Sequence, residues 1–134
     1  MRILLVEDDE VVGEISAALL VGKGHTTVVT TTVTDAALLL AGSHDFDAVL
    51  LDLGVGTERG DELVLRLRAQ KVSLPPIILY SAQPMDELRR SADVIQAAAI
   101  IQKPCRIHEL VTMIEGAVNG EEITFNATRQ GDSA

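Results

Sequence analysis

The chain has 134 residues, enough for one domain with a substantial core. Hydrophobic residues make up 47% and aromatic ones only 2%, so the core must be built from Val, Ile, Leu and Ala, and the stacking platforms used by single-stranded nucleic-acid binders are missing. A net charge of −9 repels phosphate backbones, so direct nucleic-acid binding is not expected.

Strand-like and helix-like patterns alternate to about Ala117, the signature of a doubly wound α/β fold. The run Ile3-Leu4-Leu5-Val6 reads as a buried first strand. A helix follows from about Asp9 to Lys23, with Asp9 as its cap, Val12, Ile15 and Leu19 on its apolar face, and Gly24 past its end. Thr26 to Thr30 reads as the second strand. The next helix, about Thr34 to Ala41, takes Thr34 as its N-cap and turns Ala37, Leu40 and Ala41 inward.

The third strand is Ala48 to Asp52, and Gly54, Gly56 and Gly60 leave the loop behind it unusually free. A helix over about Asp61 to Gln70 buries Leu63, Val64 and Leu67. Pro75-Pro76 introduces the fourth strand, Ile77 to Ser81, and a more polar helix spans about Met85 to Ala97. The fifth strand ends at Gln102, and the last helix is spaced at Ile107, Leu110, Val111 and Ile114. The polar residues 119–134 read as a flexible tail behind a single domain, residues 1–118.

Three of these apolar runs end in charge. Glu7, Asp8 and Asp9 follow the first, Asp52 closes the third, and Lys103-Pro104 follows the fifth. Short apolar runs of this kind are buried strands of a parallel sheet, and in such sheets ligands gather beyond the carboxyl ends of the strands. Acids and a lysine therefore meet at one rim. Taken singly, Asp52 and Lys103 would be solvated loop residues and Ser81 a turn residue; their joint order makes them a candidate site.

Two like charges ~4 Å apart repel by roughly 4 kcal/mol at an effective dielectric of 20, so such a cluster needs cations. A divalent cation that prefers oxygen ligands would suit it. Lys103 adds a mobile positive charge on an apolar stem.

In Val6-Glu7-Asp8-Asp9, Leu50-Leu51-Asp52-Leu53 with Gly60 downstream, Tyr80-Ser81-Ala82 and Lys103-Pro104, the chain resembles the receiver domains of two-component response regulators, of the chemotaxis-regulator kind. The resemblance covers roughly Arg2 to Val118. It implies a flavodoxin-like (βα)5 fold with a five-stranded parallel sheet in order 2-1-3-4-5, two helices on one side and three on the other.

It also implies that Asp52 accepts a phosphoryl group, with Lys103 pairing with it and Ser81 bonding the phosphoryl oxygens. Asp8, Asp52 and the Gly54 carbonyl would hold Mg²⁺ directly and Glu7 through water. The donor would be a sensor histidine kinase or a histidine phosphotransfer protein, docking near the first helix and the loop after Lys103, with Val11, Val12, Ile15, Pro104 and Cys105 as apolar surface. The output would be contact with a downstream protein through the fourth helix, fifth strand and fifth helix. Such a protein promotes its own phosphorylation and dephosphorylation and is not a turnover enzyme.

Several residues depart from the family pattern. Val55-Gly56 replace the usual Met-Pro, which makes the metal carbonyl less preorganised. Ile100 replaces the switch Tyr or Phe, so output is expected from shifts of the Ser81–Met85 segment. Tyr80 is a conceivable substitute, but strand alternation makes it a packing residue. Cys105, near Lys103 and Arg106, would gain thiolate character; the plainer reading is a small residue without chemistry. His25, His44 and His108 lack ligand spacing.

An aspartate-nucleophile phosphatase would need a second acid where Gly54 stands. A nucleotide or flavin site would need glycines where Glu7-Asp8-Asp9 stand. A pseudo-receiver that is never phosphorylated, and a receiver excised from a hybrid kinase, stay open. One cysteine, no secretory signal and no run near the ~18 apolar residues of a membrane span lead to the expectation of a cytoplasmic protein. Oligomeric state is not legible.

Overall fold

Four runs of buried aliphatic residues set the sheet, and the amphipathic segments between them cover its two faces. The computed structural model describes residues 1–42, 44–55 and 58–127. Its strands are β1 (Arg2–Val6), β2 (Thr26–Thr30), β3 (Ala48–Leu51), β4 (Gly54–Val55), β5 (Glu58–Arg59), β6 (Ile77–Ser81), β7 (Ala99–Gln102) and β8 (Ile123–Phe125). The helices are α1 (Glu10–Gly22), α2 (Val33–Ala41), α3 (Gly60–Ala69), α4 (Met85–Ile95) and α5 (Ile107–Val118).

The main sheet runs β2-β1-β3-β6-β7-β8 and all its pairs are parallel. Its first five strands keep the expected order. Every residue of β3 is buried, as a central parallel strand covered on both faces requires. One core packs Val33, Ala36 and Leu40 of α2, Leu63, Val64 and Leu67 of α3 and Leu88, Ala92 and Ile95 of α4 against one face. The other packs Leu20 of α1 and Leu110, Ile114 and Ala117 of α5 against the opposite face. The chain therefore lays three helices on one side and two on the other.

Four expectations need correction. The inward stripe of α1 is Gly13, Ser16, Ala17 and Leu20, whereas Val12, Ile15 and Leu19 are exposed. Small inward residues let the helix lie close to the sheet; a Cβ on Gly13 would come within 3.0 Å of Val29 Cγ1. The cap of α2 is Thr32, whose hydroxyl accepts from the Asp35 amide at 3.1 Å, and Ala36 replaces the exposed Ala41 on the buried face.

The loop after β3 is not open where it is described: Gly54 and Val55 pair antiparallel with Arg59 and Glu58, and Val55 is buried. Gly56 lies outside the described residues. Finally, Ile123–Phe125, read as flexible tail, form β8 beside β7. A helix-ending turn makes the reversal: Gly120 takes φ +89°, its amide donates to the Ala117 carbonyl, and the Glu121 amide donates to Gly116.

Candidate functional site at the carboxyl rim of the sheet

Alternation along the strands decides which side chains meet. Ile3 and Leu5, Ala48 and Leu50, Ile78, and Ala99 and Ile101 all belong to the core beneath α1 and α5. Two residues further along each strand, on the same face, come Glu7, Asp52, Tyr80 and Lys103. The β1–β3 register pairs Val6 with Leu51 and the β3–β6 register pairs Leu51 with Leu79, so one residue on, Glu7, Asp52 and Tyr80 stand side by side. Polar termini of apolar strands thus form a row of functional groups with a packed floor.

The distances are those of a connected network. Lys103 Nζ lies 2.8 Å from Glu7 Oε2 and 3.4 Å from Asp52 Oδ2. The Ser81 hydroxyl donates to Asp52 Oδ1 at 2.8 Å, and the Gly54 amide donates to the same oxygen at 3.2 Å. The Asp9 amide donates to Glu7 Oε1 at 3.2 Å, while Asp9 itself caps α1 by accepting from the Val12 amide. Glu7 and Ser81 are buried, and the Asp52 side chain keeps 16% of its surface exposed, so its carboxylate can be reached from solvent.

Burial pushes the Glu7 carboxyl above its ordinary value, and the Lys103 hydrogen bond only partly offsets this. Burial works against the Lys103 ammonium too, but the Glu7 hydrogen bond and the Asp52 charge outweigh it, so its pKa is raised and the lysine is cationic at neutral pH. The Lys103-Pro104 peptide is cis.

Gly60 contributes by having no side chain. A Cβ there would lie 2.3 Å from the Asp52 carbonyl oxygen and 2.8 Å from Leu51 Cδ1. The start of α3 can therefore press against the end of β3, where the Gly60 amide donates to Leu53 at 2.8 Å. The sequence suggests loop freedom at this glycine; what the structure uses is its small size.

Of the residues singled out from the sequence, Glu7, Asp52, Ser81, Lys103 and Gly54 come together, and Asp8 is exposed next to Glu7 in the chain. Ile100 does not join them: it packs with the core on the α2–α4 side. Burial and then the Glu109 charge push the Cys105 thiol up to about 11, away from thiolate character. Tyr80 packs as expected and is also placed 4.8 Å, ring centroid to Nζ, from Lys103.

A second network escaped the sequence reading because it joins residues far apart in the chain. Arg59 contacts Asp61 and Glu87, and Ser91 donates to Asp61 Oδ2 at 3.1 Å. The Arg59 and Ser91 hydrogen bonds overcome the opposing effect of burial and lower the Asp61 pKa.

The donor chemistry fits a hard divalent cation: Glu7, Asp8 and Asp52 are carboxylates and Gly54 offers a backbone carbonyl. Among the described residues, no three His, Cys, Asp or Glu groups are already drawn together as a metal cage. Glu7 is engaged by Lys103.

A five-helix, doubly wound parallel sheet with acids and a lysine at its carboxyl rim is the class of fold found in receiver modules. The family profile described as "Response regulator receiver domain" matches residues 3–115. The cell cycle response regulator CtrA of Brucella ovis is 30% identical over 118 residues, covering 88% of this chain and 50% of that protein. The non-phosphorylated HemR receiver domain of Leptospira biflexa superposes with a TM-score of 0.70 at 30% identity, covering 87% of this chain and 93% of that one. A CheY-like receiver domain from Methylobacillus flagellatus gives 0.73 at 24% identity, with 87% and 98% covered.

The chain belongs to the response regulator receiver domain family of two-component signalling. It spans about half the length of the curated relatives it matches. Among the described residues, no helix is long and apolar enough to cross a membrane.

Proposed function

We propose that Asp52 accepts a phosphoryl group from a phosphohistidine on a sensor kinase or phosphotransfer protein, in the cytoplasm, and that the modified domain then changes its protein contacts. The observation that carries this reading is the environment of Asp52: one carboxylate oxygen held by the Ser81 hydroxyl at 2.8 Å, the other facing the Lys103 ammonium at 3.4 Å. A carboxylate oxygen of Asp52 attacks phosphorus while the phosphorus–nitrogen bond to the donor imidazole breaks, and the imidazole leaves with the bonding pair. The Lys103 ammonium and the Ser81 hydroxyl hold the phosphoryl oxygens as their charge shifts.

Asp8, Asp52 and the Gly54 carbonyl, with Glu7 through water, are the groups that would hold Mg²⁺. When bound there, the ion supplies positive charge against the phosphoryl oxygens.

The exposed stripe of α1 supports a docking role for that helix. Val11, Val12, Ile15 and Leu19 face solvent on the side away from the sheet, and Val11 and Val12 lie in the first turn of α1, next to the rim that carries Asp52. Output runs through the Ser81–Met85 segment, since Ile100 has no hydroxyl to present and packs on the opposite side of the sheet from the acidic row.

Intact mass after incubation with Mg²⁺ and a small phosphodonor tests the reading. One added phosphate is expected on the full chain and none on Asp52→Asn. Failure of the unaltered protein to gain mass would leave a pseudo-receiver, a contact module without phosphorylation. Loss of transfer from a cognate kinase in Ile15→Ser, with small-donor labelling intact, is the expected signature of docking on α1.

A further inference from the structure

We propose that Tyr80 is a positioning residue: the face of its ring carries the Lys103 ammonium and aims it between Glu7 and Asp52. This rests on the phosphoacceptor reading of Asp52 and adds to it a group that reaches the reacting carboxylate only through Lys103.

Three placements support it. Tyr80 stands on the acidic row, next to Asp52 by the β3–β6 register, and projects to the same sheet face. It pairs across with Ile101, two residues before Lys103, so the lysine leaves β7 directly beside the ring. Lys103 Nζ is 4.8 Å from the ring centroid, within the ~6 Å at which an ammonium is attracted to a ring face. The ammonium is thereby held from below by the ring and from the side by two carboxylates, at 2.8 and 3.4 Å.

A lysine stem has four rotatable bonds and loses considerable freedom when it is fixed. An aromatic floor lowers the cost of holding it, and does so without adding a hydrogen bond that would compete with Asp52. The attraction is to the ring, not to the hydroxyl, so phenylalanine should replace tyrosine and an aliphatic residue should not. Simple core filling predicts otherwise, because leucine or methionine would fill much of the same space.

The test uses the full chain with lysine labelled at the ε-carbon, read by NMR, together with phosphorylation by a small phosphodonor in Mg²⁺. In the unaltered protein and in Tyr80→Phe, the two Lys103 ε-protons should be ring-shifted and resolved from each other, as on an immobilised stem. Their phosphorylation rates should agree within about two-fold. In Tyr80→Leu the ε-proton pair should collapse to an ordinary, unsplit lysine signal, and the rate should fall by roughly five-fold.

Tyr80→Met serves if the leucine variant does not fold. An unchanged Lys103 signal in the aliphatic variants, or equal rates for Phe and Leu, overturns the proposal. Absence of any phosphorylation of the unaltered protein refutes the Asp52 reading instead, and the ε-proton signal then still decides whether Tyr80 holds the lysine.

Discussion

Two ionic networks flank the end of β3, and they solve opposite problems. On the α1 and α5 side, one lysine is shared by two carboxylates, and the more buried of them, Glu7, is pushed towards neutrality. On the α3 and α4 side, Arg59 meets Asp61 and Glu87 while Ser91 completes Asp61, whose carboxyl is stabilised in its charged form. Each network sets one cation against two carboxylates; the first differs in lying at the strand ends, where the Asp52 side chain still meets solvent. The second fastens the segment after Asp52 to α4. Burial decides the direction at Glu7, whereas hydrogen bonds decide it at Asp61.

The largest test of this contrast removes the shared cation. Lys103→Met leaves Glu7 and Asp52 facing each other without compensation and should cost about 3 kcal/mol in urea unfolding, near the low end for a broken buried pair because the lysine still touches water. Adding Glu7→Gln to that variant should recover much of the loss, a coupling that independent sites would not show.

Next in size is the glycine between the two networks. Gly60→Ala must move the Asp52 carbonyl or the start of α3 and should destabilise by about 2 kcal/mol. Gly54→Ala, with no atom within 4 Å of the added carbon, should stay within about 0.5 kcal/mol. Equal effects at the two glycines would remove the steric account.

Breaking the anchor should cost less. Arg59→Ala and Ser91→Ala should each lose about 1 kcal/mol in denaturant melts while leaving phosphorylation of Asp52 by a small donor within about two-fold. A large loss of phosphorylation in either would show that the two networks are one.

The smallest effect is in the pH profile, where the two acids have opposite signs. Glu7 is raised from 4.5, so its folded form binds a proton more tightly; its contribution to stability grows as pH falls through the folded value and is complete below 4.5. Asp61 is lowered from 3.8, so its contribution is present above 3.8 and is lost as pH falls through its lower folded value. Stability measured against pH should therefore rise slightly on mild acidification, and Glu7→Gln should remove that rise. Arg59→Ala should instead flatten the fall at the acid end.

The alternation of buried strands and helices, the bounds of β6 and the row of charged strand ends were all legible because each is a local pattern: an apolar run closed by a charge. The face of α1 misled because helical periodicity finds the strongest apolar stripe, and here that stripe is outside while Gly13, Ser16 and Ala17 lie within. The Arg59–Ser91 contact joins residues 32 apart, and no local signal announces it. Tyr80 could have been found: counting strand parity from Asp52 and Lys103 puts it on their face. What parity does not reveal is that the lysine folds back over the ring.

β8 has a consequence for how the molecule meets copies of itself. Gly116 leaves room for the returning chain, since a Cβ there would lie 2.4 Å from Glu121 Oε2, and the strand behind it occupies the margin of β7. A bare β7 would offer unpaired amides and carbonyls to any other extended chain, an invitation to aggregate. The three residues of β8 present a shorter margin, preceded by the repelling charges of Glu121 and Glu122. Cutting the chain after Val118 should therefore yield a protein that still folds but clumps at concentrations where the longer chain stays dispersed, a difference that light scattering would register.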